Sequence, residues 1–186
     1  MKKELITIAT LAVSLAGMNI SHAEESFSSW FFTFERMNEV APVTDKTYIE
    51  ECGSCHFAYQ PGLLPEVSWR KLMDPAAMED HFGDNAELDE ETRQHILDVL
   101  VNTSADKSHH KRSKKLMLSL TEDKAPLRII ETPYIKEKHE EIPVKLIKEN
   151  PKVKSLSQCD KCHQKADKGI FDDDTVAIPG HGYWTW

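Results

Sequence analysis

Four cysteines and the histidines beside them limit this chain more than anything else in it. Cys52-Gly53-Ser54-Cys55-His56 and Cys159-Asp160-Lys161-Cys162-His163 repeat one pattern, Cys-x-x-Cys-His, and no cysteine is left over. That pattern is the attachment sequence for c-type haem. Two thiols bond to the two vinyl groups along one porphyrin edge, and the adjoining imidazole reaches the iron from one face. Two intervening residues let both sulfurs lie along that edge while the backbone turns the imidazole beneath it. Competing uses fit less well. A disulfide across each Cys-x-x-Cys leaves the following histidine without a purpose, and a four-thiolate zinc site draws its pairs from positions closer than 52 and 159. Two covalently attached haem c groups are therefore expected, on Cys52 and Cys55 and on Cys159 and Cys162. His56 and His163 are the proximal ligands.

A leader precedes both motifs. Lys2 and Lys3, the apolar run from Leu5 to Gly17, and Ser21-His22-Ala23 have the form of a secretory signal cleaved after Ala23. The run is too short to span a bilayer as a mature helix. Residues 24–186 are thus expected in the periplasm as a soluble protein. A net charge of −8 argues against nucleic acid as a partner. Only 40% of residues are hydrophobic and 29% are charged, which is thin for two separate cores. Haems are large flat apolar bodies, so the fold is expected to need them as core.

The elements in between read as short helices. An aromatic run, Phe27 to Phe34, packs on the core, and Thr44 or Asp45 caps a helix over Lys46 to Cys55 that delivers the first motif. Pro61-Gly62 and Pro65 force a loop. Ser68 to Met73 is helical, and Asp74-Pro75 interrupts and restarts the helix, which runs through Met78, His81 and Phe82 to Gly83. A longer helix begins at Leu88-Asp89, with Thr92, Ile96, Val99, Leu100 and Thr103 as its inner stripe. Lys107 to Lys115 is a basic run in an acidic chain. It is read as a solvated linker, a docking strip for an acidic redox partner being the other reading. Leu127, Ile129 and Ile130 suggest an extended segment, and Thr132-Pro133 starts a helix through Ile135 and His139. A short helix lies between Pro143 and Pro151. Beyond His163 the chain is loop-like, with Asp172-Asp173-Asp174 a solvated turn and the tail loose. The domain reading is a signal at 1–23, a haem lobe at 24–105, a basic linker at 106–125 and a second haem lobe at 126–186.

The sixth iron ligand decides the chemistry. A thioether raises a haem's potential, a second imidazole lowers it, and a vacant position admits oxygen, peroxide or carbon monoxide. His81 and His139 each fall on an apolar helical face, where an imidazole is costly unless bonded to something. His81 lies 25 residues after His56, and His139 lies 24 before His163. They are the candidate distal ligands. His95 competes with His81, and His109 and His110 are outside candidates. Met37, Met73, Met78 and Met117 are available, though Met73 and Met78 fit core positions.

Several stretches together resemble the dihaem cytochrome c family called DHC. They are Cys52 to Tyr59, Gly62-Leu63-Leu64-Pro65 with Ser68-Trp69-Arg70, and Asp80-His81-Phe82-Gly83. Pro126-Leu127-Arg128-Ile129, Glu131-Thr132-Pro133-Tyr134 with His139, and the second motif followed by Gly169 to Asp172 complete them. The resemblance implies a mainly α fold: a class-I-like cytochrome c N-terminal lobe and a smaller C-terminal haem-binding lobe with little regular structure. It also implies bis-histidine haems, with distal ligands at His81 and His139. Its implied role is electron delivery to an oxygen-binding monohaem cytochrome of the SHP type; the sequence names no donor, and a membrane cytochrome b is the one expected for a soluble periplasmic carrier. Pro75 and its neighbours depart from the family pattern. The expected protein is a carrier, not an enzyme. The alternatives are a small peroxidase-like dihaem enzyme and a dihaem subunit of a periplasmic reductase.

Overall fold

The computed structural model describes residues 37–121 and 125–184. The expected signal and the aromatic run lie outside these residues. Eight α-helices, several 3-10 turns and one small hairpin are found among them, so the fold is mainly α. No helix among the described residues is long and apolar enough to cross a membrane.

Helix α1 (Lys46–Gly53) starts where a carboxylate can satisfy its open amides. Asp45 accepts the Tyr48 N–H at 2.8 Å, a cap that stabilises by about 1 kcal/mol. The helix ends short of Cys55, so Cys52 rides on it while Cys55 and His56 follow in the turn. Proline then breaks the chain into a 3-10 turn, Pro61–Leu63, whose Pro61 carbonyl accepts the Trp69 indole N–H at 2.8 Å. That bond sets α2 (Glu66–Leu72) over the turn.

Helix α3 (Pro75–Glu79) restarts as the spacing predicts, with Asp74 as cap and Pro75 in the first turn. It stops earlier than expected. The chain turns at Phe82 (φ 60°) and Gly83 (φ 105°), and His81 pairs with Asp84 across that turn. Helix α4 (Glu90–Asn102), capped by Asp89, packs on α1 and α2. Its buried residues are Ile96, Leu97, Leu100 and Val101. Thr92 and Thr103, expected inside, instead spend their hydroxyls on Asp89 and on the Val99 carbonyl at the helix ends.

Much of the basic stretch is folded. It forms α5 (Lys111–Ser119), in which Arg112, Ser113 and Leu116 are buried. The expected extended segment near Ile129 is a 3-10 turn, Ile129–Glu131. After it come α6 (Pro133–His139), α7 (Val144–Ile147) and α8 (Cys159–Cys162). The tail is not loose: β1 (Ala177–Ile178) and β2 (Gly182–Tyr183) pair antiparallel, and Trp184 N–H bonds the Val176 carbonyl at 3.0 Å.

One apolar cluster runs from Val40 and Tyr48 through Leu63, Trp69, Ile96 and Leu100 to Ile129, Ala166 and Phe171. Segments flanking both Cys-x-x-Cys-His motifs therefore share a core. Gln60, 1% exposed, fastens this arrangement. Its amide donates to the carbonyls of Ala166 and Asp167 and accepts the Val43 N–H.

Candidate cofactor sites

Local backbone delivers each motif. At the first, α1 presents Cys52, and its end releases His56, whose Nδ1–H can donate to the Phe57 carbonyl at 2.8 Å. At the second, α8 is a single turn that holds both thiols, and the His163 N–H closes it onto the Cys159 carbonyl at 2.8 Å. No disulfide joins any of the four cysteines. Burial pushes the Cys52 thiol up to about 11 and Cys159 up to about 12. Among the described residues no three or more His, Cys, Asp or Glu side chains gather as a protein-only zinc site requires.

The fold then brings a second histidine to each motif. The His81 ring faces that of His56, with centroids 6.4 Å apart and planes 21° apart. The His139 ring faces that of His163 at 6.1 Å, with planes 68° apart. One metal bonded to a nitrogen of both rings at ~2.0 Å places the centroids about 6.3 Å apart, so both gaps fit an ion ligated from two sides.

Electrostatics keep these rings in the form a metal can use. Burial lowers the proton affinity of His81 and His139, and holds His163 at about 3. Each stays neutral with a lone pair available. His139 Nδ1 sits 2.7 Å from the Ile135 carbonyl, which holds the proton there and leaves Nε2 as the donor atom. His163 Nδ1 is buried with no hydrogen-bond partner among the described residues.

A largely apolar pocket lies beside the second pair, lined by Cys159, Cys162, His139 and His163, together with Leu63, Ile129, Ile135 and Ile147. The donor set, the thiols and this apolar lining together fit a covalently attached haem. Aromatic rings brace the imidazoles: Tyr59 against His56 at 4.9 Å, Phe82 against His81 at 4.9 Å, and Phe171 against His163 at 5.3 Å.

The other candidates lie elsewhere. His95 Nε2 is 2.9 Å from Asp45 at the start of α1. His110 Nδ1 bonds the Asn38 carbonyl, and His109 is exposed. Met73 and Met78 are core residues, each 5% exposed, while Met37 is on the surface and Met117 packs in a satellite cluster.

Three contributors escaped the sequence reading. Arg128 stacks its guanidinium 3.8 Å from the centre of the Phe82 ring, bracing the turn that carries His81 from a distant segment. Arg112, placed by its neighbours in a solvated run, lines the second pocket. Tyr59 was visible only as part of the run after His56, with nothing to assign it a role.

Comparison with known proteins gives one consistent result. The family model described as dihaem cytochrome c matches residues 48–171. The diheme cytochrome c sb-DHC from Shewanella baltica OS155 is 42% identical, with a TM-score of 0.61, covering 75% of this chain and 97% of that one. A diheme cytochrome c from Rhodobacter sphaeroides is 40% identical, with a TM-score of 0.62, covering 71% of this chain and all of the other. No curated protein sequence matches the chain.

Proposed function

We propose, since this chain belongs to the dihaem cytochrome c family, that it carries electrons in the periplasm with both haems held between two histidines. Two covalently bound haem c groups go with that membership, and Cys52 with Cys55 and Cys159 with Cys162 would attach them. Each supplies a one-electron iron couple, kept low in potential by paired imidazoles.

The polypeptide's part is to hold, orient and shield. His56 and His81 would grip one iron, His163 and His139 the other. Carbonyls at Phe57 and Ile135 fix the tautomers of His56 and His139, which holds each ring at a set angle. Apolar residues exclude water from the second site and so favour the less charged, reduced state. In this reading residues 24–105 and 126–186 each hold one haem. The acceptor is an SHP-type monohaem cytochrome and the donor a membrane cytochrome b.

The observation that carries the reading is the pair of ring separations, 6.4 Å and 6.1 Å, each beside a Cys-x-x-Cys. Were His56 with His81 and His163 with His139 each to hold an iron, neither iron would keep an open position for a substrate. Carbon monoxide added to the reduced, exported protein is the test. Neither haem should bind it readily. Fast stoichiometric binding at one haem overturns the carrier and favours a small dihaem enzyme.

A further inference from the structure

We infer that Tyr59 bridges the two haem sites and sets how fast an electron passes between them; this rests on the two-haem reading above. On one side the Tyr59 ring lies 4.9 Å from the His56 ring, tilted by 31°. On the other its hydroxyl donates to the Ser157 carbonyl at 2.7 Å, a bond that spans 98 positions of sequence. That same carbonyl oxygen lies 3.9 Å from the sulfur of Cys159, the first attachment thiol of the second motif. A line of contacts thus runs from one proximal imidazole through a phenol and a single peptide group to the other motif's sulfur.

The neighbours of Tyr59 hold this line in place. Tyr48, 2% exposed, donates its hydroxyl to the Tyr59 carbonyl at 2.6 Å. Gln60, the next residue, donates to Ala166 and Asp167. Two consecutive side chains therefore grip the second motif from both sides, Tyr59 just before Cys159 and Gln60 just after His163. A residue needed only to fill space does not require a hydrogen bond to a segment a hundred positions away.

Electron tunnelling falls off steeply across empty space and less steeply through bonded or packed atoms, so such a path governs the rate between fixed centres. In the transfer, the ferrous iron of one haem loses the electron that the ferric iron of the other gains. Tyr59 keeps both its proton and its oxidation state.

The test measures intramolecular electron exchange in half-reduced holoprotein by flash photoreduction, alongside haem content, both potentials and the low-spin spectra. Tyr59→Phe keeps the ring and loses the bond to Ser157; Tyr59→Leu loses both. Exchange should slow in Tyr59→Phe with spectra and potentials unchanged, and slow further in Tyr59→Leu once its rate is corrected for any shift in the two potentials brought by loss of the ring against His56. Wild-type exchange in a Tyr59→Leu protein that holds both haems overturns the bridge alone. If that variant fails to load both haems, wild-type exchange in Tyr59→Phe overturns it equally. Fewer than two haems on the wild-type chain overturns the function reading, and the bridge with it.

Discussion

Arg112 and Glu39, 73 positions apart, form an ion pair at 2.8 Å with both side chains only 6% exposed. The pair is a junction. Glu39 also accepts the Phe171 N–H, and Arg112 also donates to the Phe171 carbonyl and the Tyr134 hydroxyl. It joins the segment before α1 to α5, to α6 and to the run behind His163. Replacing Arg112 alone leaves a buried carboxylate uncompensated. Arg112→Met should cost about 3–5 kcal/mol in denaturant unfolding of the holoprotein. The double change Glu39→Gln with Arg112→Met should cost less than the sum of the two single changes.

The ligand assignment is tested one haem at a time. His81→Met should raise the potential of one haem and give it a methionine-type spectrum, leaving the other unchanged. The equivalent change at His139 should affect only the second haem. If both haems keep bis-imidazole resonances in His81→Met, His81 is not a ligand.

The two imidazole pairs differ in angle, 21° against 68°. Ring planes close to parallel split the iron orbitals that π-bond to them; planes close to perpendicular leave them nearly equal in energy. Electron paramagnetic resonance of the oxidised protein should therefore show two unlike low-spin signals. The rhombic one belongs to His56 and His81, the strongly anisotropic one to His139 and His163. Two superimposable rhombic signals would count against these ring angles.

Gly169 has φ 69°, and its carbonyl accepts the N–H groups of both Glu39 and Val40. A Cβ here would collide with the Val40 carbonyl oxygen, which is backbone and cannot swing away. Gly169→Ala should destabilise by about 2–4 kcal/mol, read from the unfolding midpoint of the holoprotein.

The Asp45 cap gives a pH dependence. Its carboxylate is held below the ordinary value of 3.8, mainly by the Tyr48 N–H, with His95 adding to it against the small cost of burial. The charged form is the one stabilised by folding. Its contribution is therefore complete well above pH 3.8 and is lost as pH falls through the lower, folded value. Asp45→Asn keeps an N-cap acceptor but cannot titrate. It should be less stable than wild type at neutral pH, with the difference closing under acid; an unfolding series from neutral to acid pH measures it.

Covalent attachment is legible in the chain because it is local: five consecutive residues carry both thiols and an imidazole, and nothing distant is needed to recognise them. The caps at Asp45, Asp74 and Asp89 are legible for the same reason, since each is decided within one helical turn. His81 and His139 could be nominated from spacing. Their facing each partner ring depends on how separate segments pack, and at His81 the backbone does it with a left-handed turn where periodicity called for more helix. Arg112 shows the limit most clearly. Its neighbours Lys111 and Lys114 are exposed, and nothing in a run of like charges tells which member turns inward. That is decided by Glu39, Tyr134 and Phe171, which only the folded chain brings to it. Local chemistry thus sets what this protein binds, while contacts between remote segments set how the two binding sites are held and joined.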